Sequence, residues 1–178
     1  MAGHPIDNTA LQELLDRQAI LDCIHRYTRG VDRLDRELVL SAYHPDAIDD
    51  HDLFVGSPTE FVDWAFSHHA AHDNSHHHQV TNHTCELDGD TAHTETYWLF
   101  SGVSKDGAVT LHGGRYIDRF EKRSGKWGIA ARVCVKEWHG SLGALPYPLS
   151  SNATMARDKS DVSYQRPLRV EHKSGRVG

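Results

Sequence analysis

Several features that would decide the class of this protein at once are missing from its sequence. It has no basic excess: 19 Lys and Arg stand against 25 Asp and Glu, a formal net charge of −6. A general nucleic-acid binder needs a positive face to neutralise phosphates, so no nucleic-acid partner is expected. No apolar run approaches the roughly 18 residues of a membrane-spanning helix, and no membrane partner is expected either. The opening residues MAGHPIDNTA carry neither a basic nor an apolar leader region, so no secretory signal is read there. Cysteine is scarce. Cys23, Cys85 and Cys134 are odd in number, far apart and without zinc-ligand spacing, the pattern of reduced thiols in a cytoplasmic protein. Internal repeats and linkers are absent too.

What is present is a chain of 178 residues with 38% hydrophobic and 25% charged residues, enough for one domain with a core of its own. It is also rich in one residue type, with 15 histidines.

The first helix is expected from Thr9, where Thr9-x-x-Gln12 has the form of a capping box. Leu11, Leu14, Leu15, Ile20, Ile24, Tyr27 and Val31 then recur at helical spacing and mark one apolar stripe. Gly30 and Asp32 weaken the helix near its end, and Asp35 can cap a short second helix running to Tyr43. His44-Pro45 breaks that helix, with a short strand expected near 47–53. Ser57-Pro58-Thr59-Glu60 supplies a cap, a proline at the first helical position and a glutamate at the third, opening a helix that runs to about His72. Beyond it the pattern changes to long alternating segments near 76–87, 91–104, 108–122 and 126–139. Short turns separate them at Asp88-Gly89-Asp90, Lys105-Asp106-Gly107 and Arg123-Ser124-Gly125-Lys126. Short turns between long strands make antiparallel neighbours. The fold class is therefore α+β, with helices on one face of a curved antiparallel sheet.

The motifs Arg26-Tyr27-Thr28-Arg29-Gly30-Val31-Asp32, His78-Gln79-Val80-Thr81-Asn82 and Gly113-Gly114-Arg115-Tyr116, followed by Gly125-Lys126-Trp127, resemble those of a known family. It is the SnoaL-like branch of the nuclear-transport-factor-2-like superfamily, to which scytalone dehydratase, hexachlorocyclohexane dehydrochlorinase and bile-acid 7α-dehydratase are similar. The resemblance covers about residues 9–139. It implies a cone-shaped α+β barrel over residues 1–145, with residues 146–178 as a polar tail, mobile or docked on a neighbouring subunit. By position Asp32 and His78 look like the family's catalytic pair, and Tyr27 looks like the tyrosine of the two dehydratases. The dehydrochlorinase has lysine at that place, so chlorinated substrates are not implied. An arginine on the last strand occurs in some relatives at other offsets, and Arg132 or Lys136 is the candidate here. His112 is the candidate for a second pocket histidine. The resemblance also implies a homo-oligomer, with a trimer favoured and a dimer as the alternative, and no cofactor.

The chemistry of these residues stands beside the resemblance. Elimination needs a base for a carbon-bound proton, and neutral imidazole suits the task near pH 7. A carboxylate on the ring's other nitrogen fixes the tautomer and stabilises the imidazolium that forms. A tyrosine hydroxyl can donate to a carbonyl or to a departing oxygen. Each residue has a plainer reading as well: Tyr27 as a core tyrosine, Asp32 as a helix cap, His78 as a surface strand residue. Trp98, Phe100, Tyr116 and Trp138 are candidate wall residues for a small hydrophobic cyclic or aromatic ligand. By strand parity Trp138 shares a side with Arg132, Cys134 and Lys136. His68, His69, His72, His76, His77 and His78 fall within eleven residues, but no glutamate completes a metalloprotease-type motif and no metal is expected. The leading expectation is a dehydratase-like, cofactor-independent lyase. The alternatives are a noncatalytic binding module, an isomerase, cyclase or retro-aldol lyase using the same pocket, and a noncatalytic partner subunit.

Overall fold

The computed structural model describes residues 8–142 and 156–168. Helix α1 (Asn8–Arg33) and helix α2 (Arg36–Leu40) lead into strand β1 (Tyr43–Asp50), the two-residue strand β2 (Val55–Gly56) and helix α3 (Pro58–His72). Four long strands follow: β3 (Asp73–Asp88), β4 (Thr91–Ser104), β5 (Val109–Arg123) and β6 (Lys126–Leu142). One six-stranded sheet in the order β2-β1-β6-β5-β4-β3 carries the helices, so the α+β cone expected from the sequence is present, unclosed. The meander β3–β6 is antiparallel throughout, while β1 joins β6 in parallel. Helix α3 carries the chain from β2 at one edge of the sheet to β3 at the other.

The local chemistry accounts for most boundaries. Asp35 caps α2 by accepting from the Leu38 N–H. Ser57 and Glu60 form the reciprocal capping box at the start of α3, with Pro58 at its first turn. The β5–β6 turn closes in two residues because Ser124 and Gly125 both take positive φ, 51° and 78°. Two expectations shift. Helix α2 ends at Leu40 rather than Tyr43, and Tyr43 opens β1, whose backbone runs extended through Pro45. On α1, Ile20, Ile24, Tyr27 and Val31 are buried, but Leu11, Leu14 and Leu15 on the same stripe are exposed. Periodicity marks a face; it does not say how far a neighbour covers it.

Gly30 sits where α1 and α2 cross. A Cβ there would meet Val39 Cγ2 at 2.6 Å and Val39 N at 2.7 Å, so only glycine allows the approach. The core that results joins α1, α3 and the concave face of the sheet through Tyr27, Phe61, Tyr116, Phe120 and Ile129. Of the tail, residues 156–168 lie against their own chain. Arg33 donates to the Ala156 carbonyl and pairs with Asp161, and the Tyr164 hydroxyl donates to Asp35 at 2.7 Å.

Candidate active site

Strand alternation and helix packing bring one set of side chains to a shared cavity of about 310 Å³ between the sheet and α1 and α3. Tyr27, His78, Trp98, Phe100, His112 and Tyr116 all reach its wall, as does Lys136. Asp32 does not line it but bonds His78, which does, and two further candidates stand away from it. Arg132 faces the same side of β6 but is buried behind the wall, with both Nε and Nη2 donating to Asp118 at 2.7 Å. Its guanidinium carbon lies 4.1 Å from the ring centre of Tyr27 and 4.2 Å from that of Tyr116. Its charge therefore acts on the two phenols through their faces rather than on a ligand. Trp138 is the other. A register shift at Gly113/Gly114 puts Gly114 opposite Lys136 but Gly113 opposite Trp138, so the alternation breaks between them. Trp138 thereby joins the column of Leu99, on the face away from Trp98 and Phe100, and is half exposed.

The expected pair forms. Asp32 does not cap a helix, because α1 runs past it to Arg33 and Asp35 is the cap. Its carboxylate instead accepts from the His78 backbone N–H at 3.0 and 3.1 Å and bonds His78 Nδ1 at 2.7 Å. The proton in that contact belongs on Nδ1, since carboxylate accepts only. Nε2 is left with its lone pair and, among the described residues, no partner.

A second histidine–carboxylate pair, outside every candidate named from the sequence, lies on the same wall. His51, just past β1, bonds buried Asp49 through Nδ1, and Asp49 also accepts from the Tyr43 hydroxyl. His51 Nε2 lies 3.2 Å from the Tyr27 hydroxyl, and its ring stacks on Phe61 at 4.5 Å. Burial alone would keep the imidazole neutral, but the Asp49 carboxylate outweighs it and raises the pKa to about 9. The one available signal was Asp49-x-His51 on a predicted strand, where i and i+2 share a face. Tyr27 itself is shifted well above its ordinary value by burial, against the pull of Arg132, so it stays a phenol.

The histidine cluster forms another wall. His69 and His76 stack at 4.0 Å, and Phe100 lies 5.7 Å from each. Asp32, His76 and His78 bring donor atoms within 4.8 Å of one another, as do His69, Asp73 and His76. His76, common to both groups, has neither nitrogen free. Nε2–H donates to the Val31 carbonyl and Nδ1 accepts from Arg157 in the tail. A cation in either group would have to displace one of these bonds with Arg157 close by, so the residues fit a stacked wall better than a metal centre. Burial and the neighbouring histidines lower the His76 pKa to about 2, and burial lowers those of His68, His69 and His112.

Residues 12–133 match the family model of a SnoaL-like domain. No curated protein sequence matches this chain at a significant level. Among solved structures, a hexachlorocyclohexane dehydrochlorinase of type 2 is similar at TM-score 0.73 and 20% identity, covering 80% of this chain and 99% of its own. The type 3 dehydrochlorinase from Novosphingobium barchaimii reaches TM-score 0.70 at 19% identity, over 79% and 99% of the two chains. A structure from Novosphingobium aromaticivorans, named provisionally as a scytalone dehydratase, reaches 0.66 at 15%, over 75% and 91%. At these identities the likeness is one of fold.

Proposed function

Given that the chain belongs to the SnoaL-like family, we propose that it is a cofactor-independent lyase that removes water from a small hydrophobic cyclic or aromatic compound. One observation carries the reading: His78, held through Nδ1 by Asp32 and with no partner on Nε2 among the described residues, lines a cavity whose wall also carries the Tyr27 phenol. His78 Nε2 takes the carbon-bound proton as general base, and Asp32 stabilises the imidazolium that results. Tyr27 donates to the carbonyl or to the oxygen that departs. Phe100, Trp98 and Tyr116 exclude water from the ring of the substrate, and the volume of about 310 Å³ suits one or two fused rings. The similar structures include proteins named for dehydrochlorination and dehydration, two eliminations that begin with the same proton transfer.

The test is deuterium wash-in from D₂O at the carbon next to the carbonyl, followed by NMR over a panel of β-hydroxy cyclic ketones. Exchange or water loss that disappears in His78→Ala, with folding retained, supports the reading. A protein that binds panel members tightly but exchanges none of them is a binding module.

A further inference from the structure

Arg157 lies in the tail segment 156–168, beyond the residues that match the family model, yet it bonds a residue beside the base. Its Nη1 donates to the carbonyls of His69 and Asp73, at 3.2 and 2.7 Å, and its Nη2 donates to His76 Nδ1 at 3.2 Å. Among the described residues no carboxylate pairs with it. A partly buried guanidinium held by carbonyls and an imidazole gives up hydration without meeting an opposite charge, so stability is a weak account of its placement. The residue before it is tied as well. The Ala156 carbonyl accepts from Arg33 at 3.1 Å, and Arg33 follows Asp32 on α1. Two successive tail residues thus bridge the end of α1, which carries Asp32, and the start of β3, which carries His76 and His78.

His76 stands between Arg157 and the base. A guanidinium only donates, so the contact at Nδ1 uses that nitrogen's lone pair and the ring proton sits on Nε2. From there it donates to the Val31 carbonyl at 3.1 Å, with Asp32 Oδ1 3.7 Å away. That same Oδ1 holds the His78 ring. An imidazolium at His76 would compete with His78 for one carboxylate oxygen, and would repel the charge that His78 gains on taking a proton. The groups that face His76 are Asp32 from α1, His69 from α3, Asp73 and His78 from β3, and Arg157 from the tail, while β4 offers the ring of Phe100.

We propose that Arg157 is a positioning residue for the Asp32–His78 base: by keeping His76 Nδ1 an acceptor it fixes the tautomer of the neighbouring ring and reserves the Asp32 carboxylate for His78. The inference rests on the proposed elimination for what His78 does, and not for how His76 is held. Burial, His69, His78 and Arg157 together keep the His76 pKa at about 2. Removing the guanidinium takes away one of those charges and the donor at Nδ1, so the His76 pKa moves up and the ring gains a proton on the acid side. Loss of Arg157 is therefore felt at low pH, whereas a merely loosened tail would be felt at every pH.

The test is nitrogen-15 NMR of the imidazoles in the full chain between pH 5 and 9, with deuterium wash-in on the β-hydroxy cyclic ketone panel read over the same range. In the wild type the His76 ring should stay neutral throughout, with its proton on Nε2. Arg157→Met should lose that tautomer preference and bring the ring into titration at the acid end. Its wash-in should fall by about tenfold near pH 5.5 and by less than about threefold near pH 8.5. Arg157→Lys, whose ammonium can donate to the same nitrogen, should restore most of both. Tyr164→Phe, which loosens the tail at Asp35, should leave the His76 signals unchanged. An Nδ1-protonated His76 in the wild type, unaltered His76 signals in Arg157→Met, or a wash-in loss equal at both pH values would each overturn the inference. If Arg157→Met does not fold, Arg157→Gln, polar and uncharged, takes its place. A panel that exchanges nothing in the wild type counts against the elimination alone, and the His76 signals still decide for or against Arg157.

Discussion

Asp32 accepts three contacts from a single residue: both carboxylate oxygens take the backbone N–H of His78, and one of them also holds its ring at 2.7 Å. The backbone and the side chain of the base are thus fixed by the same group, so the ring cannot turn without losing contacts that also hold β3 to α1. Precision of this kind is what a proton transfer from carbon requires.

Asp32→Asn should therefore separate orientation from charge. The amide can still accept from the backbone N–H, but it no longer stabilises an imidazolium. Proton abstraction, read as deuterium wash-in, should fall by about 10²–10⁴-fold. Nitrogen-15 NMR of the imidazoles should show the neutral His78 ring carrying its proton on Nδ1 in the wild type, with that preference lost in the variant.

The stability of the protein should pass through a maximum near pH 6.5 and fall on both sides. His51 has a folded pKa of about 9 against 6.5 for the free side chain, so its contribution is complete below about 6.5 and is lost as pH rises through 9. The difference corresponds to on the order of 3 kcal/mol at most, since Asp49 shares the charge interaction. His76 works in the opposite direction. Its folded pKa of about 2 means that its contribution is present above 6.5 and is lost as pH falls toward 2. Chemical denaturation between pH 5 and 10 should show both limbs, and His51→Gln should flatten the alkaline one.

Asp118→Asn should be among the most damaging single changes. It leaves the Arg132 guanidinium, fully buried and between two tyrosine faces, without its bidentate partner. Breaking one half of a buried pair costs about 3–5 kcal/mol, so the midpoint of urea unfolding should drop sharply. Arg132→Met, which removes the charge and keeps much of the volume, should cost less than the asparagine variant.

Gly30→Ala should destabilise the chain although alanine favours helix. The added methyl meets the Val39 backbone nitrogen at 2.7 Å, and backbone cannot swing aside as a side chain can. A loss of about 1–3 kcal/mol is expected, against the gain of up to about 1 kcal/mol that the same change brings in an open helix. Thermal unfolding of the two forms at one pH measures the difference.

How far the sequence carried depended on the range of the interaction. The capping box at Ser57–Glu60, the Asp35 cap and the three hairpin turns involve neighbours a few residues apart, and each lies where local chemistry put it. The Tyr27, Asp32 and His78 candidates came from motif resemblance, and the tertiary structure brings Tyr27 and His78 to one cavity with Asp32 bonded to the His78 ring. Trp138 went astray through one extra residue in a ladder, because strand parity holds only until a bulge resets it. Arg132 kept its parity, but parity says which face a side chain takes and not how deep it lies; Asp118, opposite it on β5, retains it beneath the tyrosines.

The sequence by itself determined the elements, their order and the α+β class, because helix periodicity, strand alternation, caps and turns are encoded within short windows. Only the tertiary structure decided which of 15 histidines does what. Imidazole has no fixed charge near neutrality, so its role is set by whatever surrounds it. Asp49, two residues away, fully buried and bonded by the Tyr43 hydroxyl, makes His51 a cation. Burial, His69 and His78 beside it and Arg157, 81 residues away, hold His76 neutral. Asp32, 46 residues away, gives His78 its free nitrogen. None of those distances in space is written in the spacing of the residues along the chain.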